Sequence, residues 1–182
     1  MKIRFQTLIL AAFFTGLTAV GAFVRIPLPI VPITLQVLMV LLSGLLLPPG
    51  GALFSQSAYI LLGLAGIPIF AGGGGISYII APTFGYLLGQ IPASWAISML
   101  VQRGERTFFS MFLASIAGIG IIYTLGAVLL FLNLTLLAGK SIGFVQILKI
   151  GVYPFILPDL LKAGVASIVA LKIRRVLHTR FF

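Results

Sequence analysis

Residues 26–102 contain no Asp, Glu, Lys, Arg or His, an unbroken run of 77 positions. A second such run covers residues 107–139. A chain that must hide stretches of this length from water has one inexpensive solution, which is to place them in lipid. There the backbone has no water to bond, so each segment must satisfy its own N–H and C=O groups, and helices do this. The composition agrees: 60% of the 182 residues are hydrophobic and 8% are charged, with mean hydropathy +1.24. Those proportions leave no polar surface for a soluble domain. The expected class is an all-α polytopic membrane protein, one integral membrane domain over residues 1–182.

Six transmembrane helices fit the pattern, at about 8–24, 33–47, 52–67, 79–101, 108–138 and 158–177. The second and third are short for a bilayer that takes roughly 20 helical residues. They are expected to lean on neighbours or to line a cavity. Pro48-Pro-Gly-Gly51 makes a tight turn between them. Residues 1–22 have a basic start, an apolar run and small residues near Ala19, but Thr15 and Thr18 interrupt the run, so a span is expected rather than a signal peptide.

The net charge of +10 does not indicate nucleic acid, because the cations flank apolar segments instead of forming a face. With both termini in the cytoplasm, eight Lys and Arg fall inside and three, Arg25, Lys140 and Lys149, fall outside. That excess orients the chain in the cell membrane, and an even number of spans agrees with it.

Two irregular segments then share the outer side. In Arg25-Ile-Pro-Leu-Pro-Ile-Val-Pro-Ile-Thr-Leu-Gln36, Pro27, Pro29 and Pro32 favour extended backbone. Thr34 and Gln36 close this segment, as helix-to-helix hydrogen-bonding groups or as ligand contacts. In Phe70-Ala-Gly-Gly-Gly-Gly-Ile-Ser-Tyr78, consecutive glycines that include Gly73, Gly74 and Gly75 exclude a stable helix. They are expected to leave backbone N–H and C=O groups available to a ligand.

The chain has two acidic residues, and one of them, Asp159, lies in an apolar stretch three positions before Lys162. An ionisable group at membrane depth costs on the order of 2.5–3.5 kcal/mol, so it marks function by default. The i,i+3 spacing places the pair on one helix face. Pro158 suits a first helical turn, which would set Asp159 at a helix N-terminus. A carboxylate accepts N–H groups and an ammonium donates to an oxygen, so the pair suits a polar ligand. An internal ion pair joining two helices is the competing reading. Thr83 and Tyr86 share a face by spacing; Tyr86 offers a ring and a hydroxyl to a ligand, or serves as an interface anchor.

In the first span, Ala12 and Gly16, and Ala11 and Thr15, form small-xxx-small pairs. Such spacing lets a helix approach closely, either within the molecule or from a partner. The chain lacks a phosphate-binding Gly-rich loop with its Lys and hydroxyl, a pair of carboxylates placed for metal-assisted or acid–base work, and any cysteine. An enzyme is therefore not expected, nor a metal or cofactor, and energy for uphill transport would come from another protein.

Four segments taken together, Pro29-Ile-Val-Pro-Ile-Thr-Leu-Gln36, Gly63-Leu-Ala-Gly-Ile-Pro-Ile-Phe-Ala-Gly-Gly73, Pro82-Thr-Phe-Gly-Tyr-Leu-Leu-Gly89 and Pro158-Asp-Leu-Leu-Lys162, resemble the BioY family. These are the biotin-binding membrane subunits (S components) of energy-coupling factor (ECF) transporters. The resemblance implies a six-helix S-component fold and a biotin pocket near the outer face, lidded by the loop after the first helix. It implies that Asp159 and Lys162 hold the ureido ring, that the Gly-rich loop, Thr83 and Tyr86 line the site, and that Thr34 and Gln36 close it. It further implies a partner module of a transmembrane coupling protein and two ATPases, met through the small residues of the first helix. The chain departs from the family pattern at Ala81, Phe84 and Gln90, where Gly, Gly and an aromatic are expected.

Overall fold

The computed structural model describes residues 4–104, 107–137, 139 and 142–181, with side chains of the last helix as far as Arg175. Lys2, Arg106, Ala138 and Lys140, used in the reading of spans and charge, lie outside the described residues. The side chains of His178 and Arg180 do too.

The chain is helical almost throughout. In order come α1 (Phe5–Phe23), a ribbon of β1 (Arg25–Ile26) and β2 (Ile33–Thr34), α2 (Gln36–Leu46), α3 (Pro49–Leu64), a 3₁₀ turn (Ile76–Ile80) and α4 (Phe84–Arg103). Then follow α5 (Phe108–Leu132), which runs on as a π turn (Asn133–Leu137), α6 (Phe144–Gly151) and α7 (Tyr153–Phe181). Helices α1, α4, α5 with its π turn, and α7 are long and apolar enough to cross a membrane. At 1.5 Å per residue, α2 and α3 reach only about 17 and 24 Å.

The short helices are held by neighbours. Leu41, Leu42 and Leu45 of α2 are buried in a core shared with α1, α4, α5 and α7. Ser98 donates to the Leu47 carbonyl at 2.6 Å and Ser94 to that of Ala52 at 3.2 Å, tying α4 to the α2–α3 turn and to α3. The Thr15 hydroxyl reaches the Ser55 carbonyl at 3.0 Å, and the Gln56 amide donates to Thr18 and Ser43. In lipid such bonds, not hydrophobicity, give helix contacts their directional preference. Arg174 of α7 donates through both Nε and Nη2 to the Leu45 carbonyl. A cation there satisfies an end-of-helix acceptor and suits the negative pole of α2.

Helices α4 and α5 share the most extensive contact of any helix pair among the described residues. A Cβ added at Gly89 would stand 2.9 Å from the Ile122 Cα, so the absence of a side chain sets the separation.

Two local expectations are corrected. The three-proline segment is not wholly irregular: Arg25 pairs with Thr34 and Ile26 with Ile33 in a short antiparallel ribbon. The last long helix starts at Tyr153, not at Pro158. Pro154 occupies its first turn, where a missing N–H costs nothing, and Pro158 lies inside the helix. Asp159 is therefore about two turns in and is not at a helix N-terminus. The additional helix α6 has no counterpart among the expected spans.

Candidate functional site

Asp159 and Lys162 face inward from α7, with side chains 3% and 10% exposed, and Lys162 Nζ lies 2.6 Å from Asp159 Oδ1. Tyr123, in the middle of α5, donates to Asp159 Oδ2 at 2.7 Å. Each carboxylate oxygen thus has one protein donor. A carboxylate offers about four lone-pair sites, so both oxygens keep capacity for a ligand N–H. Lys162 has three donors, and Asp159 uses one of them. The cluster is oriented yet can both accept and donate.

It opens into a cavity of about 70 Å³ whose lining includes Thr34, Gln36, Thr83 and Tyr86 along with Asp159 and Lys162. Six expected site residues from three parts of the chain therefore meet at one place. Tyr78, Gln90 and Tyr123 add polar groups, and Val31, Val37, Leu87, Ile122 and Phe155 add apolar walls. Pockets for drug-sized ligands usually hold roughly 300–1,000 Å³, so this space is small for such a ligand.

The polar lining is braced. Thr34 Oγ1 accepts from the Gln36 backbone N–H at 3.3 Å, and the Gln36 amide donates to Gln90 Oε1 at 3.0 Å. This pairing accounts for Gln90, one of the departures from the family pattern: it gives the buried Gln36 amide an acceptor. Phe84 causes no local disorder of packing, because it fits a cluster with Tyr59, Ile60, Phe70 and Leu87. The hydroxyls of Tyr78 and Thr83 are 3.1 Å apart.

Two expectations about groups available to a ligand do not hold. The Tyr86 hydroxyl donates to the Gly151 carbonyl at 2.8 Å, joining α4 to the end of α6, so its ring lines the cavity while its proton serves the fold. The Gly-rich loop is outside the cavity lining except for its neighbour Ala71. Part of its backbone is used internally: Phe70 and Gly73 exchange two bonds, and the Gly75 N–H donates to the Gly63 carbonyl at 2.7 Å. A Cβ on Gly74 would lie 2.3 Å from the Ile67 carbonyl oxygen, so these glycines let the loop fold onto the end of α3.

The small residues of α1 divide. Ala11 and Thr15 are buried, and Thr15 bonds to α3. Ala12 and Gly16 are exposed, and a Cβ at Gly16 would meet nothing within 4 Å. Sequence reasoning missed Tyr123, Gln90 and Tyr78. A usable signal existed for the first: tyrosine belongs at the membrane interface, so one deep in an apolar span needs a polar partner.

With this geometry in hand, comparison with known proteins is decisive for the family. The BioY family profile matches residues 1–179. The chain belongs to the BioY family. Among relatives, the biotin transporter BioY of Thermotoga maritima is 41% identical over 173 residues, spanning 93% of this chain and 96% of that one. The probable biotin transporter BioY of Lysinibacillus sphaericus is 37% identical over 174 residues, covering 95% and 89%. The crystal structure of an S-component for biotin from an ECF-type ABC transporter superposes with a TM-score of 0.82 at 24% identity, covering 93% of this chain and 91% of that one. The BioY chain therefore has the S-component fold.

Proposed function

We propose that this chain captures biotin from outside the cell as the S component of an ECF-type transporter, with the Asp159–Lys162–Tyr123 cluster as its ligand clamp. One observation carries the reading: a buried carboxylate–ammonium pair, oriented by a third residue, faces a small cavity lined by polar groups. The ureido ring of biotin has two N–H donors and one C=O acceptor, which complement Asp159 and Lys162. Thr34, Gln36, Thr83 and Tyr86 surround the ring, and Gly73, Gly74 and Gly75 act at one remove by shaping the loop behind Ala71. BioY relatives named as biotin transporters support the ligand.

In this reading residues 1–182 are one membrane domain that crosses the bilayer six times, α2 and α3 crossing where neighbours shield their ends. Both termini are cytoplasmic. Charge asymmetry supports this: Arg4, Arg103, Lys172, Arg174 and Arg175 lie at the end away from the cavity, while Arg25 and Lys149 lie towards it. Transport is energised in trans by two ATPases through a coupling protein. Ala12 and Gly16 are the part of the α1 patch open to that partner, and Ala11 and Thr15 serve internal packing.

The test is thermal unfolding of the purified chain with biotin, thiamine or riboflavin. A ligand at a hundredfold excess over its Kd stabilises by about 2.7 kcal/mol. A rise with biotin alone is expected. A rise with another vitamin instead would keep the S-component reading and replace the substrate.

A further inference from the structure

The cavity at Asp159 has a neighbour. An open vestibule of about 400 Å³ adjoins it on the side of the β1–β2 ribbon. Pro32, Ala71, Tyr78 and Thr83 line both spaces and so form the partition between them. The 3.1 Å contact of the Tyr78 and Thr83 hydroxyls draws that partition together.

The two chambers differ in charge. The inner one contains Lys162, but Asp159 neutralises it at 2.6 Å. A ligand that brings its own negative charge finds no net positive charge there. The vestibule is lined by Arg25 and by no other charged residue. The Arg25 guanidinium makes no hydrogen bond or ion pair among the described residues. Its backbone is paired with Thr34, which lines the inner cavity, so the ribbon holds the cation one strand away from the inner site. Pro27, Leu28 and Ile30 give the same chamber apolar walls.

We infer that Arg25 receives the carboxylate of the ligand. An uncharged polar ring sits at Asp159 and Lys162, an aliphatic chain crosses the partition, and the terminal acid meets the guanidinium fork, whose geometry matches a carboxylate. This assignment rests on the biotin reading, since biotin joins a neutral ureido ring to a carboxylate through a short methylene chain. It adds a specificity residue for the acid end of the molecule.

The experiment titrates wild type, Arg25→Gln and Arg25→Lys with biotin and with biotinamide, the neutral analogue. Wild type is expected to prefer the acid by about tenfold, the scale of one hydrogen bond to a charged group. The preference should shrink as salt is raised, because Arg25 is exposed. Arg25→Gln should bind biotinamide as wild type does, which also shows that it is folded, and should lose the preference. Arg25→Lys should keep part of it. The assignment is overturned if Arg25→Gln still prefers the acid, if both ligands weaken equally, or if Arg25→Lys loses the preference as fully as Arg25→Gln. Wild type binding the two ligands equally would overturn Arg25 alone. Wild type binding neither would overturn the biotin reading and this one with it.

Discussion

Replacing Asp159 and Lys162 singly and then together separates a ligand clamp from a helix-to-helix ion pair. Both side chains are almost fully buried and 2.6 Å apart. Breaking a buried pair by removing one partner costs about 3–5 kcal/mol, because the other charge stays behind uncompensated. For a chain of this size that lowers the unfolding midpoint by on the order of 10 °C. Lys162→Met leaves the carboxylate with the Tyr123 hydroxyl as its donor. Asp159→Asn turns either its amide N–H or its one neutral oxygen toward the ammonium, and only in the first orientation keeps an acceptor for Tyr123. The double variant Asp159→Asn/Lys162→Met buries no charge, and its Asn oxygen still accepts from Tyr123. It is expected to unfold within a few degrees of wild type, well above either single variant. Ligand binding should not recover with it. The ligand loses hydrogen bonds to two charged groups, each worth about 1.5–3 kcal/mol, so biotin affinity should fall at least about a hundredfold. Thermal unfolding and biotin titration of all four proteins give the answer. A stable double variant that binds biotin as wild type does would reduce the pair to helix glue. Strict additivity of the two single losses would refute the coupling itself.

Two further outcomes follow from the geometry. Tyr123→Phe removes the donor to Asp159 Oδ2 and should weaken biotin binding by about tenfold or more in calorimetric titration, with a stability cost of about 1–3 kcal/mol; unchanged affinity would show that Tyr123 does not orient the carboxylate. Gly74→Ala drives a methyl group against the Ile67 carbonyl, so thermal unfolding should show a loss of about 1–3 kcal/mol, and wild-type stability would mean that the loop has room to shift.

The membrane class and the helical architecture were legible because they depend on runs of residue type. A charge-free stretch of 77 residues admits few environments. The Asp159–Lys162 pair was legible for a related reason: a charge in such a stretch costs too much to be idle, and i,i+3 spacing places both groups on one face before any fold is known. The start of α7 was misread because Pro154 and Pro158 both satisfy the rule for a first helical turn, and local geometry alone does not choose between them. The Gly-rich loop was recognised as irregular, but whether its N–H groups served a ligand or the protein depended on the end of α3 lying against it.

By itself, then, the sequence determined the solvent, the helical content, the glycine- and proline-rich interruptions and the charged pair, all of which follow from local composition and spacing. Only the tertiary structure decided who stands around that pair. Tyr123 lies 36 positions from Asp159, Gln90 lies 54 from Gln36, and the Tyr86 hydroxyl is spent on a carbonyl 65 positions away. Those partners are chosen by how the helices pack. In lipid, where no water stands in for a missing hydrogen bond, that packing also decides which polar groups the fold consumes and which it leaves for a ligand.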